Sequence, residues 1–227
     1  MKNFEKEKFA LIFDLDGTLI HSVPDMHFAI SKTLKEFNLK NISEKQLQKF
    51  VGQGMLKLSE KVVKYCGGDD NLINPVYNSY RKNYSEVPYK YTKFMFGVEE
   101  ALEYYYEKKI PMAICTNKRQ FVTEKLLKQM GINHYFQVIV GANDGIPLKP
   151  KRDMIDLTIK KFKLKNFSYI MVGDTFNDTA SARSAGIFSI IVKGGYTNQP
   201  IKDLMADYVI NNMKELISFL DFKQDPN

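Results

Sequence analysis

The chain has 227 residues, of which 44% are hydrophobic, and its formal net charge is +7. This length suits one large domain, or one domain that carries a smaller insert. No stretch approaches the roughly 18 apolar residues of a membrane span, and the charged first residues precede too short an apolar run for a signal peptide. We therefore expect a cytoplasmic protein with no membrane partner.

The two cysteines, Cys66 and Cys115, lie far apart and lack the spacing of metal ligands. This argues against a disulfide framework and a zinc site, so we expect both to be packing residues. The positive charge is spread over nearly every segment, and the densest lysine group, residues 160–165, surrounds the end of a predicted helix, where cations suit the helix dipole. A solvated surface is therefore favoured, and we expect no nucleic-acid partner.

The first predicted strand ends in two carboxylates. Phe9 to Phe13 are consecutively apolar, as in an interior strand of a parallel sheet that is covered on both faces. Asp14 and Asp16 follow, and Gly17 turns the chain. In open α/β sheets, ligands bind beyond the carboxyl ends of the strands. These two aspartates therefore mark a candidate site.

Residues 20–95 show helical patterns and no convincing strand. Helical spacing and glycine breaks predict four helices there. The fourth carries a stripe of tyrosines, for which core or domain-interface packing is favoured and a ligand role is the alternative. The predicted helices are Pro24–Phe37, a short one capped by Ser43, Met55–Tyr65, and one with Tyr77, Tyr80 and Tyr84 that Pro88 ends.

From residue 97 onward, helices and short apolar strands alternate. The predicted helices are Val98–Glu107, Lys118–Met130, Asp153–Phe162, Thr179–Ala185 and Met213–Leu220. The predicted strands are Ile110–Cys115, Val138–Val140, Tyr169–Val172, Phe188–Val192 and Tyr208–Ile210. Such alternation predicts an α/β fold with a doubly wound, Rossmann-like parallel sheet. We predict a catalytic core of residues 1–19 and 96–227, with residues 20–95 as an inserted helical cap domain.

Polar residues follow several predicted strands: Thr116, Lys149, Asp174 and Asp178. Parallel strands bring their carboxyl ends to one edge of the sheet, so these residues are expected to meet Asp14 and Asp16. Carboxylates suit a hard cation such as Mg²⁺, whereas a hydroxyl and an ammonium group suit a phosphate. Together they predict phosphoryl transfer on a small phosphorylated metabolite.

These motifs resemble the haloacid dehalogenase superfamily of aspartate-nucleophile phosphohydrolases. The segment DLDGT at 14–18 is similar to its first motif, Thr116 to its second, Lys149 to its third, and GDTFND at 173–178 to its fourth. The resemblance spans the whole chain, because the helical insert falls where this superfamily carries a helical cap. Residues 14–26 look like the phosphoglycolate phosphatase branch, which usually has an aspartate where His21 stands.

The resemblance implies a role for each motif. Asp14 would be the nucleophile that forms an aspartyl-phosphate, and Asp16 would be the general acid and base. Mg²⁺ would be held by Asp14, the Asp16 backbone carbonyl and Asp174, and Asp178 would order metal-bound water. Thr116 and Lys149 would hold phosphoryl oxygens. The substrate-binding residues implied are Gly17, Thr116, Asn117 and Lys149.

Simpler interpretations exist for the same residues. Asp14 and Asp16 could start a calcium loop, but Leu19 and Asp25 stand where an EF-hand needs glycine and glutamate. Thr116 or Asn117 could merely cap the next helix. Considered alone, Lys149 could be an exposed loop lysine, and the last two aspartates could be turn and helix-start residues.

The leading hypothesis is a Mg²⁺-dependent phosphatase of a small phosphate monoester, with phosphoglycolate as the first candidate. Lys57 and Arg81 are candidate contacts for a substrate carboxylate, but a solvated position on a helix is favoured for each. Gln53, in the glycine-bracketed turn, is a third candidate contact. The alternatives are a sugar-phosphate or nucleotide phosphatase, a β-phosphoglucomutase-like mutase, and a non-catalytic phosphate-ligand or nucleic-acid-binding protein. The mutase is disfavoured because such relatives have a histidine where Met26 stands, and His27, one residue later, is turned by about 100° on a helix.

Overall fold

A computed structural model describes residues 8–86 and 89–222 of the chain. Pro88, the predicted end of the fourth helix, lies outside the described residues. The strands are β1 (Lys8–Phe13), β2 (Ile20–His21), β3 (Lys93–Phe94), β4 (Met112–Arg119), β5 (Val138–Ala142), β6 (Phe167–Gly173), β7 (Phe188–Val192) and β8 (Tyr208–Ile210). The α-helices are α1 (Val23–Glu36), α2 (Glu44–Gln48), α3 (Met55–Tyr65), α4 (Ile73–Glu86), α5 (Val98–Glu107), α6 (Gln120–Gln129), α7 (Asp153–Phe162), α8 (Phe176–Ala185) and α9 (Met213–Phe222).

Six parallel strands form the main sheet in the order β5-β4-β1-β6-β7-β8. The chain runs outward from β1 through β4 to β5, then returns to the other side of β1 and continues through β6. The strand order therefore reverses between β1 and β6, which is where a doubly wound sheet opens a crevice for a ligand. The predicted α/β fold with a Rossmann-like parallel sheet is confirmed.

The central strand β1 is buried on both faces. Phe9, Leu11 and Phe13 pack on one face in a cluster with side chains of α5 and α9. Ala10 and Ile12 pack on the other face with side chains of α7 and α8. This double coverage explains why the strand is a continuous apolar run instead of an alternating one.

The end of β4 differs from the prediction. The strand continues through Arg119, which pairs with Ala142 of β5 after a shift in register. The helix predicted from Lys118 therefore begins two residues later, at Gln120, and its N-cap residue is Arg119. Neither Thr116 nor Asn117 caps this helix, so that interpretation of the two residues is wrong. Because Arg119 still belongs to the strand, the helix begins only after it.

The helices α1 to α4 form an insert between β2 and β3, two short strands that pair antiparallel. The expectation of no strand in residues 20–95 is wrong at both ends of that segment. Each of these strands has two residues, too few for a period to show in the sequence. Ser43 accepts the Gln46 N–H at the start of α2, as predicted. The insert's buried apolar side chains join the cluster that covers one face of β1.

Two general expectations bear on the whole chain. Within residues 8–86 and 89–222, every helix is too short or too polar to cross a bilayer. The cytoplasmic location stays a prediction. Cys66 and Cys115 are both buried and unbridged, in agreement with a packing role.

Candidate active site

The carboxyl edge of the sheet gathers the side chains that the sequence singled out. Asp14 follows β1, Thr116 lies in β4, Lys149 lies in the loop after β5, and Asp174 follows β6. All four are buried. Beside them lies a cavity of about 50 Å³, which Asp14, Thr116 and Lys149 line from the core. Side chains of the helical insert line it as well, among them Met26, Leu58 and Tyr80.

Three carboxylates form a cluster at this edge. Asp14, Asp174 and Asp178 each offer an oxygen, and these oxygens lie within 4.8 Å of one another. Burial raises the pKa of Asp174 well above its ordinary value, and the neighbouring charges of Asp178 and Asp14 raise it further. Hydrogen bonds from Tyr196 N–H (2.6 Å) and Thr18 Oγ1 (3.1 Å) oppose that rise. A hard cation with oxygen ligands suits this donor set.

Lys149 neutralises part of this charge. Its Nζ donates to Asp14 Oδ1 at 2.9 Å, to Asp178 Oδ1 at 2.7 Å and to the Cys115 carbonyl at 2.6 Å. Burial disfavours the charged form, but Asp14 and Asp178 outweigh it and hold the pKa of Lys149 above its ordinary value. Burial also raises the pKa of Asp14 to about 6, although Lys149 opposes that shift. Lys149 is 3% exposed, so the interpretation as a surface lysine is wrong.

Asp178 has two functions in the structure. Its Oδ2 accepts from Thr175 N–H and Oγ1 at 3.0 and 2.8 Å, which completes a capping box at the start of α8. Its Oδ1 accepts from Lys149. The helix-start interpretation is therefore correct for Asp178, and the same side chain also belongs to the carboxylate cluster.

The Asp16 carboxylate turns away from the cluster. Its oxygens accept from Lys118 Nζ at 2.9 and 2.8 Å, and Oδ1 also accepts from Ser22 Oγ at 2.5 Å. The predicted metal contact of Asp16 runs through its backbone carbonyl and stays a prediction. The sequence analysis missed Lys118, which is 9% exposed. Its position next to Thr116 and Asn117 at a strand end was the available signal.

The Asn117 side chain connects two loops of the site by hydrogen bonds. Its Nδ2 donates to the Gly52 and Lys149 carbonyls, both at 2.8 Å, and its Oδ1 accepts the Lys149 N–H at 3.0 Å. Both amide hydrogens are thus used within the protein, although the side chain lines the cavity. Thr116 also lines the cavity, and its Oγ1 accepts the Lys118 N–H at 3.3 Å. Their predicted contacts with substrate remain untested.

Gly17 lies where a side chain cannot fit. Its φ is +90°, and a Cβ there would lie 2.4 Å from Asp174 Oδ2 and 3.0 Å from the Tyr196 ring. The backbone at Gly17 therefore passes directly beside the carboxylate cluster. The sequence predicted this residue as part of the substrate site, and the structure brings it to the edge of that site.

The candidate carboxylate contacts do not line the cavity. Lys57 is exposed and pairs with Glu60 at 2.7 Å. Gln53 is exposed and accepts from Lys61 at 2.7 Å. Arg81 is exposed and borders a different cleft. The interpretation of Lys57 and Arg81 as solvated helix residues is confirmed, and Gln53 does not line the cavity either.

The histidine positions also differ from those of a mutase. Met26 lines the cavity, whereas the His27 ring lies 2.7 Å from the Ile42 carbonyl, on the side of α1 that faces the loop before α2. His21 lies at the start of the insert, and its Nδ1 is 3.1 Å from Tyr196 Oη. His27 therefore does not reach the carboxylate cluster.

Comparison with known proteins identifies the chain's relatives. The model of the haloacid dehalogenase-like hydrolase family matches residues 11–192, which include Asp14, Lys149 and Asp174. The chain belongs to the haloacid dehalogenase-like hydrolase family. This hydrolase is 32% identical over 224 residues to the phosphoglycolate phosphatase of Photobacterium profundum, covering 96% of this chain and 97% of that protein. It is 31% identical to the phosphoglycolate phosphatase of Cereibacter sphaeroides, covering 92% and 96% of the two chains.

Solved structures agree with this assignment. The crystal structure of a predicted phosphoglycolate phosphatase from Haemophilus somnus superposes with a TM-score of 0.86 at 27% identity, covering 95% of this chain and 99% of that one. The family membership and the named relatives make this hydrolase a phosphoric monoester hydrolase.

Proposed function

We propose that the protein is a Mg²⁺-dependent phosphatase that hydrolyses phosphoglycolate through an aspartyl-phosphate on Asp14. One observation carries the proposal: the Asp14 carboxylate is buried between the Lys149 ammonium group and two further carboxylates, at the strand order reversal. The full-length similarity to phosphoglycolate phosphatases supports the choice of substrate. In this proposal residues 20–95 act as a cap over a core of residues 1–19 and 96–227.

The donor set supports a bound Mg²⁺. Asp14 and Asp174 would hold it with the Asp16 backbone carbonyl, and Asp178 lies in the same cluster. Buried carboxylates with raised pKa values are stabilised when a cation compensates their charge. When bound, the ion would offset the repulsion between the anionic nucleophile and the anionic phosphate.

The protein's own side chains account for the covalent steps. An Asp14 oxygen attacks phosphorus, and the bond from phosphorus to the glycolate oxygen breaks while Asp16 gives that oxygen a proton. A water then attacks phosphorus and gives a proton to Asp16, while the bond from phosphorus to the Asp14 oxygen breaks. This step releases inorganic phosphate and restores both aspartates. Lys149 and Thr116 would hold phosphoryl oxygens throughout, and the raised pKa of Lys149 keeps its ammonium group charged.

The size of the cavity favours a small substrate. It measures about 50 Å³, and the insert contributes apolar walls from Met26 and Leu58. A phosphate group with a short carbon chain suits such a space better than a nucleoside phosphate does.

A phosphate-release screen tests the proposal. Phosphoglycolate, sugar phosphates and nucleoside monophosphates would each be assayed with Mg²⁺ and with EDTA. We expect the highest kcat/KM for phosphoglycolate, activity only with the cation, and a loss of at least about a thousandfold in kcat for Asp14→Asn. Asp70→Asn, an exposed position, is the matched control.

Each contrary result removes a defined part of the proposal. Undiminished turnover by Asp14→Asn would remove the nucleophile. A preference for a sugar phosphate or a nucleotide would remove phosphoglycolate as the substrate. Activity that persists in EDTA would remove the cation.

A further inference from the structure

We infer that Tyr80 and Tyr84 of α4, together with Lys118 of β4, form the subsite that binds the carboxylate of the substrate's leaving group. This inference rests on the proposed function and assigns the recognition of the substrate to two side chains of the insert and one of β4. It concerns the end of the substrate opposite to the phosphate.

The two tyrosines carry the strongest evidence. They lie four residues apart on one face of α4, their rings stack with centroids 5.7 Å apart, and both line the cavity. Tyr80 is 0% exposed and Tyr84 is 1% exposed. Among the described residues, neither hydroxyl has a hydrogen-bond partner. A buried hydroxyl without a partner is costly, so two such groups at one cavity indicate that a ligand supplies the acceptor.

Lys118 supplies the charge. Its Nζ lies 4.9 Å from the centroid of the Tyr84 ring, so the cation and the tyrosine pair share one region of the cavity wall. An ammonium group has three hydrogens, and the two oxygens of Asp16 accept two of them. The third is available to an anionic ligand. Two hydroxyl donors and one cation match the oxygens of a carboxylate.

The tyrosines remain donors across the physiological range. Burial raises the pKa of both phenols well above the ordinary value, and the charge of Asp16 raises it further. For Tyr80 the nearby Lys118 opposes the shift without reversing it. Both hydroxyls therefore keep their hydrogens and can donate them to a carboxylate.

The core and the insert contribute different groups to the cavity. Lys149 and Thr116 lie on the core side, where the phosphoryl group would bind, and the tyrosine pair lies on the insert side. Met26 lies on the insert side too and offers apolar contact to a short carbon chain. A phosphorylated short-chain hydroxy acid has the matching order of groups: phosphate, carbon and carboxylate.

The experiment compares two substrates that differ in one group. Phosphoglycolate carries the carboxylate, whereas ethyl phosphate has a methyl group in its place. We expect Tyr80→Phe and Tyr84→Phe each to lower kcat/KM for phosphoglycolate by about tenfold, mainly by raising KM. The kcat/KM of each variant for ethyl phosphate should differ from the wild-type value by less than about twofold. Tyr105→Phe is the matched control, since Tyr105 is equally buried but does not line the cavity.

The possible results separate this inference from the proposed function. Equal losses on both substrates would indicate a structural role for the tyrosines and overturn the inference, as would no loss on either. A selective loss on a sugar phosphate alone would assign the subsite to hydroxyl groups and overturn it as well.

A binding measurement covers the case in which the wild-type protein hydrolyses no ester, so that the proposed function fails. Glycolate and phosphoglycolate would then be titrated by calorimetry. Binding that weakens about tenfold in Tyr80→Phe and stays unchanged in Tyr105→Phe supports the carboxylate subsite without any turnover. Equal binding by all three proteins, or none, overturns it.

Discussion

The two walls of the cavity differ in whether their polar groups are already paired within the protein. On the core wall, the charges of Lys149, Asp14 and Asp178 are already joined by ion pairs of 2.9 and 2.7 Å. On the insert wall, the hydroxyls of Tyr80 and Tyr84 have no partner among the described residues. The core wall is thus preorganised for one reaction, whereas the insert wall depends on its ligand. The contrast implies that substitutions on the core wall affect folding and turnover together, and that those on the insert wall affect recognition alone.

The largest expected effect comes from Lys149→Met. The substitution leaves Asp14 and Asp178 buried without their cation, which costs about 3–5 kcal/mol of unfolding free energy, and kcat should fall by at least about a thousandfold. Denaturant unfolding and phosphate release measure the two effects. Lys151→Met, at an exposed position in the same loop, should change neither.

Tyr80→Phe removes only an unpartnered hydroxyl, so its stability should equal or exceed that of the wild type. A comparable loss of stability in Lys149→Met and Tyr80→Phe would show that the two walls contribute to folding in the same way.

Gly17→Ala tests how tightly the core wall is packed. The new Cβ would lie 2.4 Å from Asp174 Oδ2, and the φ of +90° is itself unfavourable for alanine. We expect a loss of about 2–4 kcal/mol in unfolding free energy and a weaker response to Mg²⁺. Gly145→Ala isolates the backbone contribution, because its φ is +85° and, apart from its chain neighbours, no atom of the described residues lies within 4 Å of the added Cβ. That control should lose only about 1 kcal/mol. Equal losses of stability in Gly17→Ala and Gly145→Ala would mean that Asp174 can move to make room for the new Cβ.

The same contrast explains what the sequence could predict. Asp14, Thr116, Lys149 and Asp174 follow apolar strands, and parallel strands bring such residues to one edge. The core wall was therefore predictable from the order of strands and polar residues. The Asp178 capping bond was equally local in sequence, since Thr175 lies three residues before it.

Three other features of the site were not predictable in this way. The spacing of Tyr80 and Tyr84 predicts a packed face of α4. Periodicity shows that a helix face is buried, but it does not show that a cavity lies beneath that face. The pattern predicts Lys118 at the start of a helix, but the residue lies in β4 and its side chain donates to Asp16. The contact between Tyr196 and Asp174 joins residues 22 positions apart through a loop whose path no local pattern specifies.

A smaller effect is expected from the pH dependence of stability in the metal-free protein. The pKa of Asp14 is about 6 in the folded state against an ordinary 3.8. Between those values the folded state holds a proton that the unfolded chain has lost, so the free energy of unfolding falls as the pH rises from about 4 to 6. Asp14→Asn removes this contribution. In EDTA at pH 7.5 the variant should therefore be more stable than the wild type, by at most about 3 kcal/mol, and the difference should shrink towards pH 4.

With Mg²⁺, the wild type should be more stable than Asp14→Asn. This reversal makes the prediction specific to the carboxylates of the core wall. Cation binding stabilises the wild type, whereas Asp14→Asn offers one ligand fewer and gains less. Thermal and denaturant unfolding at several pH values, with Mg²⁺ and with EDTA, measure both differences. The exposed control Asp70→Asn should follow the wild type at every pH. If Asp14→Asn is instead less stable than the wild type in EDTA at pH 7.5, the attraction of Lys149 outweighs the burial of Asp14. The core wall would then be stable without a cation, and the carboxylate cluster alone would no longer support a metal site.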